Sequence, residues 1–342
     1  LTSTRPTTDG TLMVVSSLPR SQYKPIRGLL AQIEDEGMMR SQALPTGFNP
    51  LDAMLDGGLH PHDLTLLAGK PSVGKTIATL QWARYVAAAG GHVAYVSYEH
   101  SEQSLMGRLL NLQLSETSAY ADETSLETMR RRIKAWVGGR LSFDDLLMTH
   151  PAMEAAAEEL MSYASRMFLI QGSAVATDVH ELSSIARHVV GPGGLLVVDY
   201  LQKVPLEGGA SLDRAPEVSS ALKEIAMTDH VAILAIAAVG MDGLGQRRIR
   251  PEHLASNAPL VHEADCALVM NEKAPAISRV HTAFDGRQID DAKQWTLFTI
   301  EKNRDGPANV DLEFQKEFES FRFNPEGGFV AEHLIDDMQY ND

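Results

Sequence analysis

Apolar positions follow two rhythms along this chain, and the change from one to the other marks its elements. Unbroken apolar runs at 64–68, 92–98, 167–170, 195–199, 232–237 and 265–270 read as short strands buried on both faces. Between them, apolar residues recur three and four apart, the period of a helix with one buried face. Helices are expected at 77–89, 104–112, 179–189 and 216–228, with Ser101 and Asp178 where N-caps belong. Residues 113–165 are helical and charged, with one stripe at Leu126, Met129, Ile133 and Val137 and another over 153–163. A strand at 295–302 leads into a turn at 303–307, and 310–314 with 320–323 suggest a closing antiparallel hairpin. The loop 240–250 is rich in Gly and Arg, and 271–294 reads as a mobile polar insertion.

Strand and helix alternate from Leu64 to Met270. That order predicts an α/β fold with a mostly parallel central sheet covered by helices on both faces. Residues 1–20, rich in Thr, Ser and Pro, are expected to form a flexible arm. Within 21–43, Ile26, Leu29, Leu30 and Ile33 give a helix one apolar stripe, to be covered by its own core or by a neighbouring subunit. Residues 44–330 then form the globular domain, and 331–342 an acidic tail whose end, 335–342, is expected to fray.

The net charge of −15 argues against a broad nucleic-acid surface, but leaves room for a small basic loop. The single cysteine, Cys266, excludes an intrachain disulfide. No apolar run approaches a membrane span, and the N-terminus lacks the basic-then-apolar signal pattern, so a soluble cytoplasmic protein is expected.

The stretch Gly69-Lys70-Pro71-Ser72-Val73-Gly74-Lys75-Thr76 has every fixed position of a phosphate loop, between an expected strand and an expected helix. Backbone N–H groups and a helix N-terminus then face the phosphates. Lys75 is placed to reach the β- and γ-phosphates, and the Thr76 hydroxyl to bind Mg²⁺. Asp199 ends a buried strand, where an acid holds Mg²⁺ through a water or merely ends the strand. Glu99 follows the strand at 92–98, where a carboxylate orients and deprotonates an attacking water or is a solvated turn residue. Lys302 and Arg304 are one residue apart at a strand end. They are either basic fingers reaching phosphate oxygens across an interface or an ordinary exposed pair. Arg247, Arg248 and Arg250 sit among glycines in a loop suited to a nucleic-acid backbone or simply solvated.

Five blocks occur in a telling order: Leu44-Pro45-Thr46-Gly47-Phe48, the phosphate loop, Ser97-Tyr98-Glu99-His100-Ser101, Val197-Val198-Asp199-Tyr200-Leu201-Gln202, and Lys302-Asn303-Arg304-Asp305-Gly306-Pro307. From about residue 22 to 325, the chain resembles the C-terminal RecA-like motor domain of DnaB-type replicative helicases. The resemblance implies a RecA-like P-loop NTPase that uses ATP and Mg²⁺, forms a hexameric ring or filament, and moves along single-stranded DNA. It makes Glu99 the catalytic base and Asp199 the Walker B acid. Gln202 joins the nucleotide-binding residues, and Lys302 and Arg304 act on a neighbour's nucleotide. It likens the helix near 22–39 to the linker that docks on the adjacent subunit. The family's N-terminal helical collar is expected to be missing.

The departures are local. Ala238 stands where the family carries a γ-phosphate-sensing Gln, and Gly240-Met241 replaces an Asn-Arg pair. Leu254-Ala255-Ser256-Asn257-Ala258 replaces Leu-Arg-Glu-Ser-Gly. Two functions follow: a DnaB-like helicase or translocase, or a DnaB-like ATPase repurposed for nucleotide-dependent assembly or regulation, with weak or no unwinding.

Overall fold

The computed structural model describes residues 26, 42–117, 123–206, 214–254, 258–277 and 290–335. Contacts divide the chain into residues 1–41 and 42–342. In the first unit Ile26 alone is described, in a helical conformation, so the expected arm and most of the expected helix lie outside the described residues.

The second unit begins with a turn tied down by one carboxylate. Asp52 accepts hydrogen bonds from Thr46 N (2.8 Å), Thr46 Oγ1 (2.7 Å) and Gly47 N (3.0 Å). Gly47 sits at φ +81°, and a Cβ there would lie 2.5 Å from the Tyr85 ring. The tight turn carries Phe48 into the core just before helix α1 (Asn49–Met54). Strand β1 (Leu64–Gly69) and helix α2 (Lys75–Ala88) follow, then β2 (Val93–Ser97) and α3 (Glu102–Thr117). The helical stretch resolves into α4 (Glu123–Val137), α5 (Phe143–Leu147) and α6 (Pro151–Tyr163). Ser142 caps α5 by accepting from Asp145 N, and His150 caps α6 by accepting from Ala152 N. Next come β3 (Met167–Gln171), α7 (Val179–Ile185) with a wider π turn at Ala186–Val190, β4 (Leu195–Asp199), α8 (Ala215–Asp229) and β5 (Ala232–Ala237). Asp178 and Ser101 accept from Glu181 N and Ser104 N, the caps the sequence suggests.

Beyond β5 lie α9 (Met241–Leu244), α10 (Ala258–Glu263), β6 (Cys266–Glu272), α11 (Lys273–Ala276), β7 (Trp295–Asn303), β8 (Val310–Glu317), β9 (Arg322–Phe323) and β10 (Gly328–Phe329). The sheet runs β10-β8-β7-β6-β1-β5-β4-β2-β3, with β9 paired to β8. Its six strands from β6 to β3 are parallel, and β7, β8 and β10 extend it antiparallel beyond β6.

Alternate strand residues divide the core into two faces, as the two-residue period of a strand requires. Leu67, Tyr95, Val197, Leu234 and Leu268 pack with residues of α2, α3 and α6. Leu66, Val96, Val198, Ala235 and Val269 pack with residues of α7 and α8. On the first face Phe48, Trp82, Phe298, Phe314 and Phe323 form one aromatic cluster, with ring centroids as close as 4.6 Å.

The expected insertion at 271–294 is partly regular structure. β6 extends to Glu272, and in α11 the buried Lys273 pairs with Glu313 and, at 2.8 Å, with Glu332. A charge buried this deeply needs such partners. Residues 278–289 lie outside the description. The described part of the tail is anchored, since Leu334 bridges Ile277 and Ile335 N donates to Ala276 O at 2.8 Å. Among the described residues, no helix is long and apolar enough to cross a membrane.

Candidate nucleotide-binding site

Parallel strands start at one end of the sheet and finish at the other, so the residue after each strand arrives at a shared edge. β1 ends at Gly69, β2 leads to Glu99, β4 ends at Asp199 and β5 leads to Ala238. These exits line one cleft of about 440 Å³, with Lys75, Thr76, Glu99, Arg108, Asp199 and Phe321 on its walls.

The loop 69–76 turns on Gly74, which precedes α2 at φ +104°. A Cβ there would come within 2.6 Å of Phe323 and 2.7 Å of Phe318, so only glycine fits both backbone and packing. Lys75 folds over its own loop, donating to Gly69 O (2.7 Å) and Lys70 O (2.9 Å). Burial lowers its pKa to about 8, against the pull of the Asp199 and Glu99 charges. Lys70 donates to Gln246 O, joining the phosphate loop to the segment after β5.

Asp199 is buried, with 1% of its surface exposed. Its Oδ2 lies 3.2 Å from Thr76 Oγ1 and 3.2 Å from the Tyr95 hydroxyl. Burial raises its pKa to about 6, and the neighbouring Glu99 charge adds to this, while Thr76, Tyr95 and Lys75 oppose it. The next peptide bond, Asp199–Tyr200, is cis. Ser97 Oγ accepts from Glu99 N (3.3 Å) and His100 N (3.0 Å), which sets the chain's course past β2. Gln202 does not line the cleft. It is buried behind it, where its Oε1 accepts from Ala238 N at 3.0 Å and links the exits of β4 and β5.

The donor set suits Mg²⁺. A hydroxyl and a carboxylate are hard oxygen ligands, and they adjoin a phosphate loop. Among the described residues there is no cluster of three or more His, Cys, Asp or Glu side chains for a metal. The cleft therefore matches a cation that arrives bound to phosphates rather than one caged by protein.

Lys302 and Arg304 lie at the other end of the sheet. β7 runs antiparallel to β6, with Lys302 opposite Ala267 and Asn303 opposite Cys266, at the start of β6. Lys302 Nζ donates to Val261 O (3.0 Å) and His262 O (2.9 Å). Arg304 pairs with the buried Asp265 at 2.8 Å while its side chain stays 54% exposed. A second cleft of about 230 Å³ opens there, lined by Asp56, Asp63, Asp265, Arg304 and Asp305 among others.

The three loop arginines do not form one exposed basic patch, which corrects the expectation of a shared DNA-contacting loop. Arg247 is exposed, but Arg248 is buried and pairs with Asp311. Arg250 pairs with Glu301 at 3.0 Å. The Arg248 and Arg250 charges are answered within the fold by carboxylates from β8 and β7.

Sequence reasoning missed three site residues. Arg108, on α3, has its guanidinium 5.4 Å from the Phe321 ring and 3.5 Å from His100 Nδ1. A lone basic residue between Leu105, Leu109 and Leu112 was its signal. Tyr95 looked like ordinary strand core. Phe321 gave no signal, since its place depends on a turn at φ +50° between β8 and β9.

The fold and the constellation at the carboxyl edge define a P-loop NTPase with a RecA-like core. The model of the DnaB-like helicase C terminal domain matches residues 43–323, and the chain belongs to that family. It is 26% identical over 327 residues to the replicative DNA helicase DnaB of Geobacillus stearothermophilus, a match covering 92% of this chain and 65% of that protein. The chain thus spans somewhat under two thirds of this relative's length. Among solved structures it resembles one described as an ATPase domain, with a TM-score of 0.66, 20% identity, and 88% and 98% of the two chains covered. A DnaB-like replicative helicase, described with its interactions with primase, superposes with a TM-score of 0.64 at 20% identity, covering 88% of this chain and 66% of that one. At that identity the two structures speak to fold alone.

Proposed function

We propose that this chain is an ATP-hydrolysing motor of DnaB type that works as a ring or filament of identical subunits on single-stranded DNA in the cytoplasm. One observation carries this reading. The phosphate loop, Glu99 and Asp199 meet at the carboxyl edge of the sheet, while Lys302 and Arg304 stand at its amino end. A basic finger so placed serves a neighbour's nucleotide, and a complete site takes two copies.

The loop amides and Lys75 hold the phosphate oxygens, and the open side of the cleft receives the rest of the nucleotide. Thr76 and Asp199 would hold Mg²⁺, which when bound neutralises charge on the phosphate oxygens. Glu99 orients the attacking water and accepts its proton. Lys302 and Arg304 of the adjoining copy stabilise charge developing on the transferred phosphoryl group.

A second reading, nucleotide-dependent assembly or regulation with little unwinding, draws support from three features. Ala238 has no polar side chain with which to sense a phosphate. Arg248 and Arg250 are engaged inside the fold, and the chain is strongly acidic. The discriminating experiment measures ATP turnover with and without single-stranded DNA, alongside the mass of the nucleotide-bound assembly. Stimulation by DNA in a multimer supports the motor. A multimer indifferent to DNA supports the second reading, and a monomer that turns over ATP at full rate defeats both.

A further inference from the structure

Tyr95 is a large, fully buried side chain on β2 whose hydroxyl reaches the acid of the nucleotide site. In the ladder with β4 it lies opposite Val197, which makes Asp199 its diagonal neighbour on the same face. The hydroxyl lies 3.2 Å from Asp199 Oδ2 and 2.9 Å from Thr79 Oγ1. Burying a hydroxyl is costly unless it is bonded, and an aliphatic residue would fill a strand core without that cost.

Proton counting fixes the direction of the bond to the acid. An ionised carboxylate only accepts, so Tyr95 gives its one proton to Asp199. Its oxygen also lies 2.9 Å from Thr79 Oγ1, on α2 one turn beyond Lys75 and Thr76, and that hydroxyl reaches the Lys75 carbonyl at 3.1 Å. Three elements that carry the site, β2, β4 and α2, are thereby held in one register. Both bonds to Asp199 fall on Oδ2, and they differ in kind. Thr76 lines the open cleft and must turn its oxygen toward an arriving cation, whereas Tyr95 is locked in the core.

We propose that Tyr95 is a positioning residue for Asp199, holding Oδ2 from inside the core so that the carboxylate would keep the orientation in which it holds Mg²⁺ through a water. The proposal rests on the reading of the cleft as a Mg²⁺–nucleotide site. Its effect belongs to metal affinity, because Tyr95 bonds to the acid and does not itself line the cleft.

The test is equilibrium binding of a fluorescent ATP analogue to the full chain and to Tyr95→Phe, in EDTA and across a Mg²⁺ series. The Mg²⁺ concentration giving half of the metal-dependent gain in affinity is expected to rise about tenfold, the low end of what losing an outer partner of a metal ligand costs. Affinity in EDTA is expected to stay within about twofold of the parent, since the phosphate contacts are intact. An unchanged Mg²⁺ requirement overturns the proposal. So does an equal loss with and without metal, which is the mark of a general packing defect. If the parent itself gains no affinity from Mg²⁺, the nucleotide-site reading fails first, and the result is distinct from either. Should Tyr95→Phe not fold, Tyr95→Met, a flexible apolar filler that also lacks the hydroxyl, takes its place, and a parental Mg²⁺ requirement in that variant overturns the proposal equally.

Discussion

Lys75, proposed to hold phosphate, is engaged by its own loop. Its ammonium is satisfied by two carbonyls of its own loop, yet burial keeps its pKa near 8 rather than at the usual lysine value. A polyphosphate replaces those carbonyls with full charges, and charge-assisted bonds are about twice as strong as neutral ones. Lys75→Ala should weaken Mg²⁺–ATP binding by about two orders of magnitude, the scale of losing a strong ionic hydrogen bond, with thermal unfolding little changed. Parental affinity in an equilibrium titration of that variant would refute the assignment. Cys266 offers a second test at this scale. Burial, with Asp63 and Asp265 nearby, pushes its thiol up to about 12. A raised folded pKa means the thiol's contribution is intact below the unfolded value near 9 and is lost as pH climbs from there toward 12. The folded protein should therefore resist thiol reagents at pH 8 and react at once in denaturant. Rapid labelling of the native state at pH 8 would show the site is open.

Among the elements, the aromatic cluster ties separate parts of the chain to one place. Phe48 from the turn before α1, Trp82 from α2, Phe298 from β7, Phe314 from β8 and Phe323 from β9 stack mainly edge to face. Gly74 packs against the same Phe323, so the cluster also backs the phosphate loop. Phe48→Ala should cost about 3–5 kcal/mol of stability, typical of emptying a buried aromatic site. Urea unfolding measures this, and a loss under about 1 kcal/mol would mean the site refills. Elements of this kind were legible wherever their signal was local. Unbroken apolar runs revealed all six parallel strands, and helix starts were written in Ser101 and Asp178. Strand order was not legible, because it depends on pairings between residues far apart in sequence, such as Leu64 with Ile233. Arg248 illustrates the same gap. Among glycines it reads as exposed, but Asp311, 63 residues away, draws it into the core. Tyr95 was hidden in the opposite sense, since an aromatic in a buried strand looks like packing until its hydroxyl is seen beside Asp199.

For the whole molecule, the question is why Lys302 and Arg304, the proposed fingers, lie at the end of the sheet away from the phosphate loop. β7 returns antiparallel to β6, so anything at its carboxyl end is carried to the sheet's amino end. There Asp265 binds Arg304, Lys223 and the Leu64 amide together, and so fixes where the guanidinium projects. On the proposed function, the arrangement would give each copy one binding face and one finger face. If the two faces meet, Arg304→Ala leaves nucleotide binding at parental strength, because the residue touches nothing in its own cleft. Turnover should fall by a factor of about 10³ or more, the scale seen when a phosphoryl-transfer finger is lost. Parental turnover in Arg304→Ala would end the shared-site account. Mixing distinguishes a shared site from a finger that merely supports the fold. Glu99→Gln subunits keep their own Arg304 and their own phosphate loop, yet stall any cycle that passes from copy to copy. Titrated into the parent protein at constant total concentration, they should depress ATP turnover more steeply than their mole fraction. A strictly linear decline would mean that each copy works alone, and the opposite placement of loop and finger would then have no catalytic meaning.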